Sequence, residues 1–189
     1  MTPPDNLPRD LRDAVLAVNK SLSGWGWCTP KKAVAMATII HDIRPRQVVE
    51  IGVFGGRSLL PQALALKYLG SGVIFGIEPW SNAIATEVAT TAENDEWWRN
   101  VDIKGAKKAC LSAIIHNDVL DIVKILECRS IDGVPVTGRE NDIIHVDGNH
   151  SSTQALADVQ MAFEATRQGG YIWLDDVDWP TVAPRFEFP

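Results

Sequence analysis

Apolar positions along the chain fall into two rhythms. Leu11, Ala14, Val15, Val18 and Leu22 recur at helical spacing, and Ala33, Val34, Ala37, Ile40 and Ile43 do so again. Thr29-Pro30 opens the second helix as N-cap and first helical residue, and Arg44-Pro45 stops it. Short, nearly unbroken apolar runs then follow, centred on Gln47 to Ile51, Gly72 to Ile77, Val123 to Leu126, Asp142 to Val146 and Tyr171 to Leu174. Runs of this length read as strands covered on both faces. Helical stretches alternate with them: Leu59 to Leu66 with Pro61 in its first turn, the polar span Ser81 to Asn100, Ala106 to Ile114, and Ala155 to Phe163. Ser58 is expected to cap the first of these, and Ser151 with Gln154 fits a capping box before the last. Gly133 to Gly138 reads as loop, and Gly169-Gly170 as the end of the last helix. Trp25 and Trp27, between the first two helices, are expected to pack one helix on the next rather than to form a substrate lip. The β-α order predicts an α/β fold: a doubly wound parallel sheet with helices on both faces. Residues 1–45 are expected to be helices packing on the core, 46–180 the sheet-bearing unit and 181–189 an irregular tail, one structural domain in all.

The chain has 189 residues, 46% of them hydrophobic and 22% charged, ordinary values for a globular domain with a sizeable core. A net charge of -6 removes the electrostatic case for nucleic acid or an anionic membrane as partner. No run of about 18 apolar residues predicts a membrane span. Met1 to Pro8 lacks the pattern of a secretory signal, so a cytoplasmic location is expected. Cys28, Cys110 and Cys128 have no metal-like spacing and read as reduced, buried thiols.

The chemistry gathers at the strand ends. Val48 to Ser58 reads as strand, glycine turn and helix start, a nucleotide-binding corner. Gly52, Gly55 and Gly56 let the backbone turn and let a ligand approach closely. The run is Gly-x-x-Gly-Gly rather than Gly-x-Gly-x-x-Gly, with Glu50 in the strand end. Glu78, 26 residues past Gly52, stands at the tip of the second strand, where a carboxylate binds ribose hydroxyls. Ligands of open α/β sheets bind outside the carboxyl ends of the strands. There the sequence gathers Glu50, the glycine loop, Glu78, Arg129-Ser130, Asp147, His150 and Asp175-Asp176. Such an acidic rim repels a pyrophosphate, which disfavours a dinucleotide and an NAD-dependent oxidoreductase. It suits a cationic, ribose-bearing ligand such as S-adenosylmethionine, with Glu78 on the diol and Glu50 and Asp147 setting the field around the methionyl part. Three carboxylates converging in a cleft raise one another's pKa unless a cation joins them, and Mg²⁺ takes such oxygen ligands.

Val48 to Ser58 resembles motif I of class I S-adenosylmethionine-dependent methyltransferases, and Ile77-Glu78-Pro79-Trp80 resembles their acidic motif. His145 to Ser151 and Gly170 to Pro180 resemble the small-molecule O-methyltransferases grouped with macrocin O-methyltransferase and cephalosporin-hydroxylase-like proteins. The likeness covers about residues 25 to 180 and implies a Rossmann-like fold. It implies that Glu50, Gly52, Val53, Phe54, Gly55, Gly56, Ser58, Glu78, Pro79, Trp80, Ser130 and Asp147 hold S-adenosylmethionine. By similarity to catechol O-methyltransferase it implies Mg²⁺ on Asp147, Asp175 and Asp176. In the macrocin-type enzymes a histidine at the position of His150 is the general base, and Asp147 belongs to the same catalytic motif. The implied activity is metal-assisted methylation of a hydroxyl on a small acceptor, a sugar or natural product.

That family has seven strands, the last two an antiparallel hairpin, whereas five are found here. Thirteen residues follow Asp176, so the expected sheet lacks the last two strands and a homo-oligomer, such as a dimer, is plausible. The rival expectation is a truncated, catalytically impaired binding or assembly module on the same fold.

Overall fold

Burial on both faces makes strands of the five apolar runs. In the computed structural model, which describes residues 6–179 and Thr181, they are β1 (Gln47–Ile51), β2 (Val73–Ile77), β3 (Val123–Leu126), β4 (Asn141–Val146) and β5 (Thr166–Leu174). The helices are α1 (Arg9–Ser21), α2 (Pro30–Ile43), α3 (Leu59–Leu69), α4 (Asn82–Ala85), α5 (Ala92–Asn100), α6 (Ile103–His116), α7 (Ser130–Thr137) and α8 (Ser152–Ala165). The sheet is wholly parallel in the order β3-β2-β1-β4-β5. This is the expected doubly wound α/β fold, with five strands among the described residues. The irregular start at Pro3 and Pro4, and the tail beyond Thr181, lie outside those residues.

Alternation along each strand divides the core. Val48, Ile74 and Ile143 face α1, α2, α3 and α6, while Val49, Ile51, Ile77, Ile144 and Val146 face α7 and α8. Register puts Glu50 of β1 beside Gly76 of β2 and His145 of β4, and His145 beside Trp173 of β5. A polar row therefore crosses the face that α3 covers. The strand order reverses between β1 and β4, and this topological switch is where an open α/β sheet splays its loops to leave a crevice.

Local chemistry fixes the helix ends. Thr29 accepts the Lys32 N–H at 3.2 Å, with Pro30 in the first turn of α2. Ser151 accepts the Gln154 N–H at 3.3 Å, but Gln154 turns its amide to Ser130 and Asp158, so half of the capping box forms. Ser58 does not cap α3; its hydroxyl donates to Glu50 Oε1 at 2.8 Å. Gly133 to Gly138 is not loop, because α7 runs through Thr137. Gly133 serves that helix by letting it lie on Ile77, whose Cγ2 would be 2.7 Å from an added Cβ. The last helix ends at Ala165, not at Gly169-Gly170, which sit in an irregularity of β5 where its register to β4 shifts. The two tryptophans differ: Trp25 packs on the core cluster that α1, α2 and α3 share. Trp25 covers Gly55, and Trp27 lies 66% exposed on Phe54 and Trp97.

Candidate active site

A cleft of about 1150 Å³ opens at the carboxyl ends of β1, β2 and β4. Its floor is built by backbone. Gly52 has φ +87°, and a Cβ there would stand 1.9 Å from the Asp147 carbonyl oxygen. Gly52 N–H donates to Ile77 O, and Asp147 N–H donates to Ile51 O, so the three strand ends are drawn together where only glycine fits. Glu78 then fastens the loop. Its Oε2 accepts the N–H groups of Val53 at 3.1 Å and Phe54 at 3.0 Å, and its Oε1 accepts that of Trp80 at 2.9 Å. Phe54 and Trp80 both have positive φ, 47° and 41°, a conformation that costs a non-glycine residue energy unless its surroundings hold it. The Trp80 indole N–H adds a bond to Phe54 O at 2.7 Å. Burial pushes the Glu78 carboxyl up, and the amides of Phe54, Trp80 and Val53 pull the other way. A carboxylate offers about four lone-pair sites; the three amides leave room for a further donor on the cleft side.

Beyond Gly52 the cleft turns acidic. Asp147, at the end of β4, has its carboxyl raised by burial, opposed by His145 and Lys32. Lys32 of α2 reaches across to contact Asp175 Oδ2 directly, with Nζ 3.8 Å from Asp147 Oδ2. His145 Nε2 lies 3.9 Å from Oδ2 of both aspartates. Asp176 turns the other way, to His150 Nε2 at 2.8 Å, and that bond holds its carboxyl below the usual range. The His150 ring lies against Trp179, and its Nδ1 is buried with no partner among the described residues.

Asp147 thus joins two potential ion-binding groups, one with His145 and Asp175 and one with His150 and Asp176. Asp175 and Asp176 do not fall in one group, as adjacent residues at a strand end point apart. Of the expected donor contacts, Gly52, Val53, Phe54, Ser58, Glu78, Pro79, Ser130 and Asp147 line the cleft. Glu50, Gly55, Gly56 and Trp80 do not. Gly55 lies under Trp25, and Gly56 packs on Cys110 and Leu60. Glu50 is fully buried below the floor and accepts from Ser58, from Gln62 at 2.5 Å and from His145 Nδ1 at 3.1 Å. Sequence reasoning missed Lys32, His145 and Asp158, which holds Ser130 by a 2.6 Å bond. His145 alone had a local sign, since it stands two residues before Asp147 on the same strand.

A family model described as a methyltransferase domain matches residues 49–177. No curated protein matches the chain by sequence. Among solved structures, the chain is similar to an O-methyltransferase from Bacillus cereus in complex with SAH, with TM-score 0.61 and 18% identity over 92% of this chain and 70% of that one. It is similar also to the O-methyltransferase TomG from Streptomyces achromogenes, involved in tomaymycin synthesis and bound to SAM (TM-score 0.64, 16% identity, 96% and 72% covered). The cofactor-bound protein Rv0187 from MTB gives a TM-score of 0.64 at 17% identity, with 98% and 82% covered.

Proposed function

Because the chain belongs to the methyltransferase-domain family, we propose that it is an S-adenosylmethionine-dependent O-methyltransferase acting on a hydroxyl of a small molecule, a sugar or natural product, with a divalent cation assisting. The observation that carries this reading is the junction of three strand ends at Gly52, where the glycine loop, the Glu78 carboxylate and Asp147 line one cleft. The finer likeness to macrocin-type enzymes rests on the motifs His145 to Ser151 and Gly170 to Pro180. The donor and acid set fits a cation. Asp147, Asp175 and Asp176 outnumber the single ammonium of Lys32, and the buried His145 Nε2 has no partner among the described residues.

When bound, the sulfonium donor supplies an electrophilic methyl group, and a divalent ion on Asp147 and Asp175 lowers the pKa of a hydroxyl near it. The chain's own residues do the rest. Glu78 accepts from the ribose diol on the lone pairs that the loop amides leave. Gly52 lets the ligand pass close to the backbone. Ser130, fixed by Asp158, lines the same cleft. His150, turned by Asp176, takes the acceptor's proton at Nδ1. That atom is buried, with the Trp179 ring packed beside the imidazole, so the transfer requires the site to open.

Incubation with S-adenosylmethionine and a panel of sugars and phenols, with and without EDTA, tests the proposal. Transfer to at least one hydroxyl, lowered by EDTA and restored by Mg²⁺ or another divalent ion, is expected. Donor binding without transfer to any member would favour the binding or assembly module, and EDTA-resistant transfer would remove the metal role. No described helix is long and apolar enough to cross a membrane.

A further inference from the structure

His145 is used by none of the steps above, yet it is buried beside the cleft floor. Its side chain is 1% exposed. Strand register sets it beside Glu50, and Nδ1 faces Glu50 Oε2 at 3.1 Å. The same carboxylate accepts from Ser58 and Gln62, so it serves as acceptor to all three, which puts the imidazole proton on Nδ1. Nε2 then presents a lone pair toward the cleft. It has no hydrogen-bond partner among the described residues. The oxygens in front of it belong to Asp147 and Asp175, each at 3.9 Å. Nε2 and one oxygen of each aspartate lie within 4.8 Å of one another, close enough to share a single ion.

We infer that His145 Nε2, backed by Glu50, is the nitrogen ligand of a divalent transition-metal ion held with Asp147 and Asp175, at the position where the Lys32 ammonium meets the same two carboxylates. A carboxylate behind a ligating imidazole fixes its tautomer and raises its basicity. An imidazole donor favours borderline ions such as Fe²⁺, Co²⁺ or Zn²⁺ over Mg²⁺, which keeps to oxygen. Lys32 competes with the ion: its ammonium contacts Asp175 and lies 3.8 Å from Asp147, so the ion binds as Lys32 withdraws. The second group, with His150, is the poorer site, since His150 Nε2 is already spent on Asp176. This inference rests on the metal-assisted reading for its purpose only. Ion binding is measured without donor or acceptor, so intact ion binding with no methyl transfer would sink that reading and leave this one standing.

The test is titration of the full chain with Co²⁺, followed by visible absorption and by the hyperfine-shifted imidazole N–H in proton NMR, with Mg²⁺ followed by calorimetry. Wild type is expected to bind one Co²⁺ with a shifted, exchangeable N–H signal. His145→Gln loses that signal and about tenfold or more in Co²⁺ affinity, with Mg²⁺ affinity little changed, and Glu50→Gln weakens Co²⁺ by roughly 10–100-fold. Lys32→Met, in a side chain at the cleft rather than in the core, binds Co²⁺ more tightly, and it carries the test if His145→Gln fails to fold. The inference is overturned if wild type gives no shifted N–H, if His145→Gln keeps wild-type Co²⁺ affinity, if Lys32→Met binds no tighter, or if His150→Gln abolishes the site instead.

Discussion

Glu78 does two things with one carboxylate. It holds Phe54 and Trp80 in left-handed conformations through their amides, and it faces the cleft as the proposed ribose acceptor. Glu78→Gln puts an NH₂ against backbone N–H groups. It is expected to cost about 1–3 kcal/mol of stability and to weaken donor binding more than tenfold, which thermal melts and calorimetry check. Burial raises its pKa above the model-peptide 4.5, so the acceptor form is lost as pH falls through that raised value. Donor affinity should therefore decline at a higher pH than an ordinary glutamate would give. Gly52→Ala should prevent stable folding, because the added Cβ would collide with Asp147 O at a residue whose φ is +87°. Burial pushes the Cys28 and Cys110 thiols up to about 12, so thiol reagents at pH 8 should leave both unmodified in the native protein. Gly52, Glu78 and Asp147 were legible because their residue types stand at strand ends. Glu50 was legible as an acid but not as a buried one: its partners Gln62 and His145 come from α3 and β4, which only the folded register brings together. Lys32 gave no sign, since a lysine in the first turn of an amphipathic helix looks like solvated surface.

Elements were read best where periodicity was strong and worst where glycine or proline masked it. α7 holds both Gly133 and Pro135, residues that weaken a helix in isolation; its burial against Ile77 overrides that preference. β5 begins at Thr166, five residues before its apolar run, because Asn141 pairs with Thr166 before the register shifts. That junction depends on Asp142. Its carboxylate accepts from the amides of Arg46 at 2.7 Å and Gln47 at 3.0 Å and from Arg167 Nε at 2.6 Å, tying the start of β1 to β4 and β5. Burial opposes the charged form, but Arg167 and the two amides together hold the pKa below 3.8. A lowered folded-state pKa contributes stability above the unfolded pKa, lost as pH falls through the folded value. Asp142→Asn should thus destabilise by about 2 kcal/mol near neutral pH. Urea melts at falling pH should find the gap between variant and wild type narrowing only below about pH 4.

At the scale of the molecule, the parallel order β3-β2-β1-β4-β5 was readable from β-α alternation alone. The cleft's position followed from it, because the reversal between β1 and β4 leaves a crevice at their carboxyl ends. What alternation could not give was how acids on different strands divide: Asp175 toward Lys32 and His145, Asp176 toward His150. It also could not give the aromatic wall of Trp27, Phe54 and Trp97, which three separate segments build over the cleft. The whole reading depends on that cleft holding a sulfonium nucleoside. Isothermal titration of S-adenosylmethionine into the full chain tests this most directly. One molecule should bind per chain, with affinity falling more than tenfold in folded Glu78→Gln. No heat of binding in wild type, or the same affinity in the variant, would contradict it.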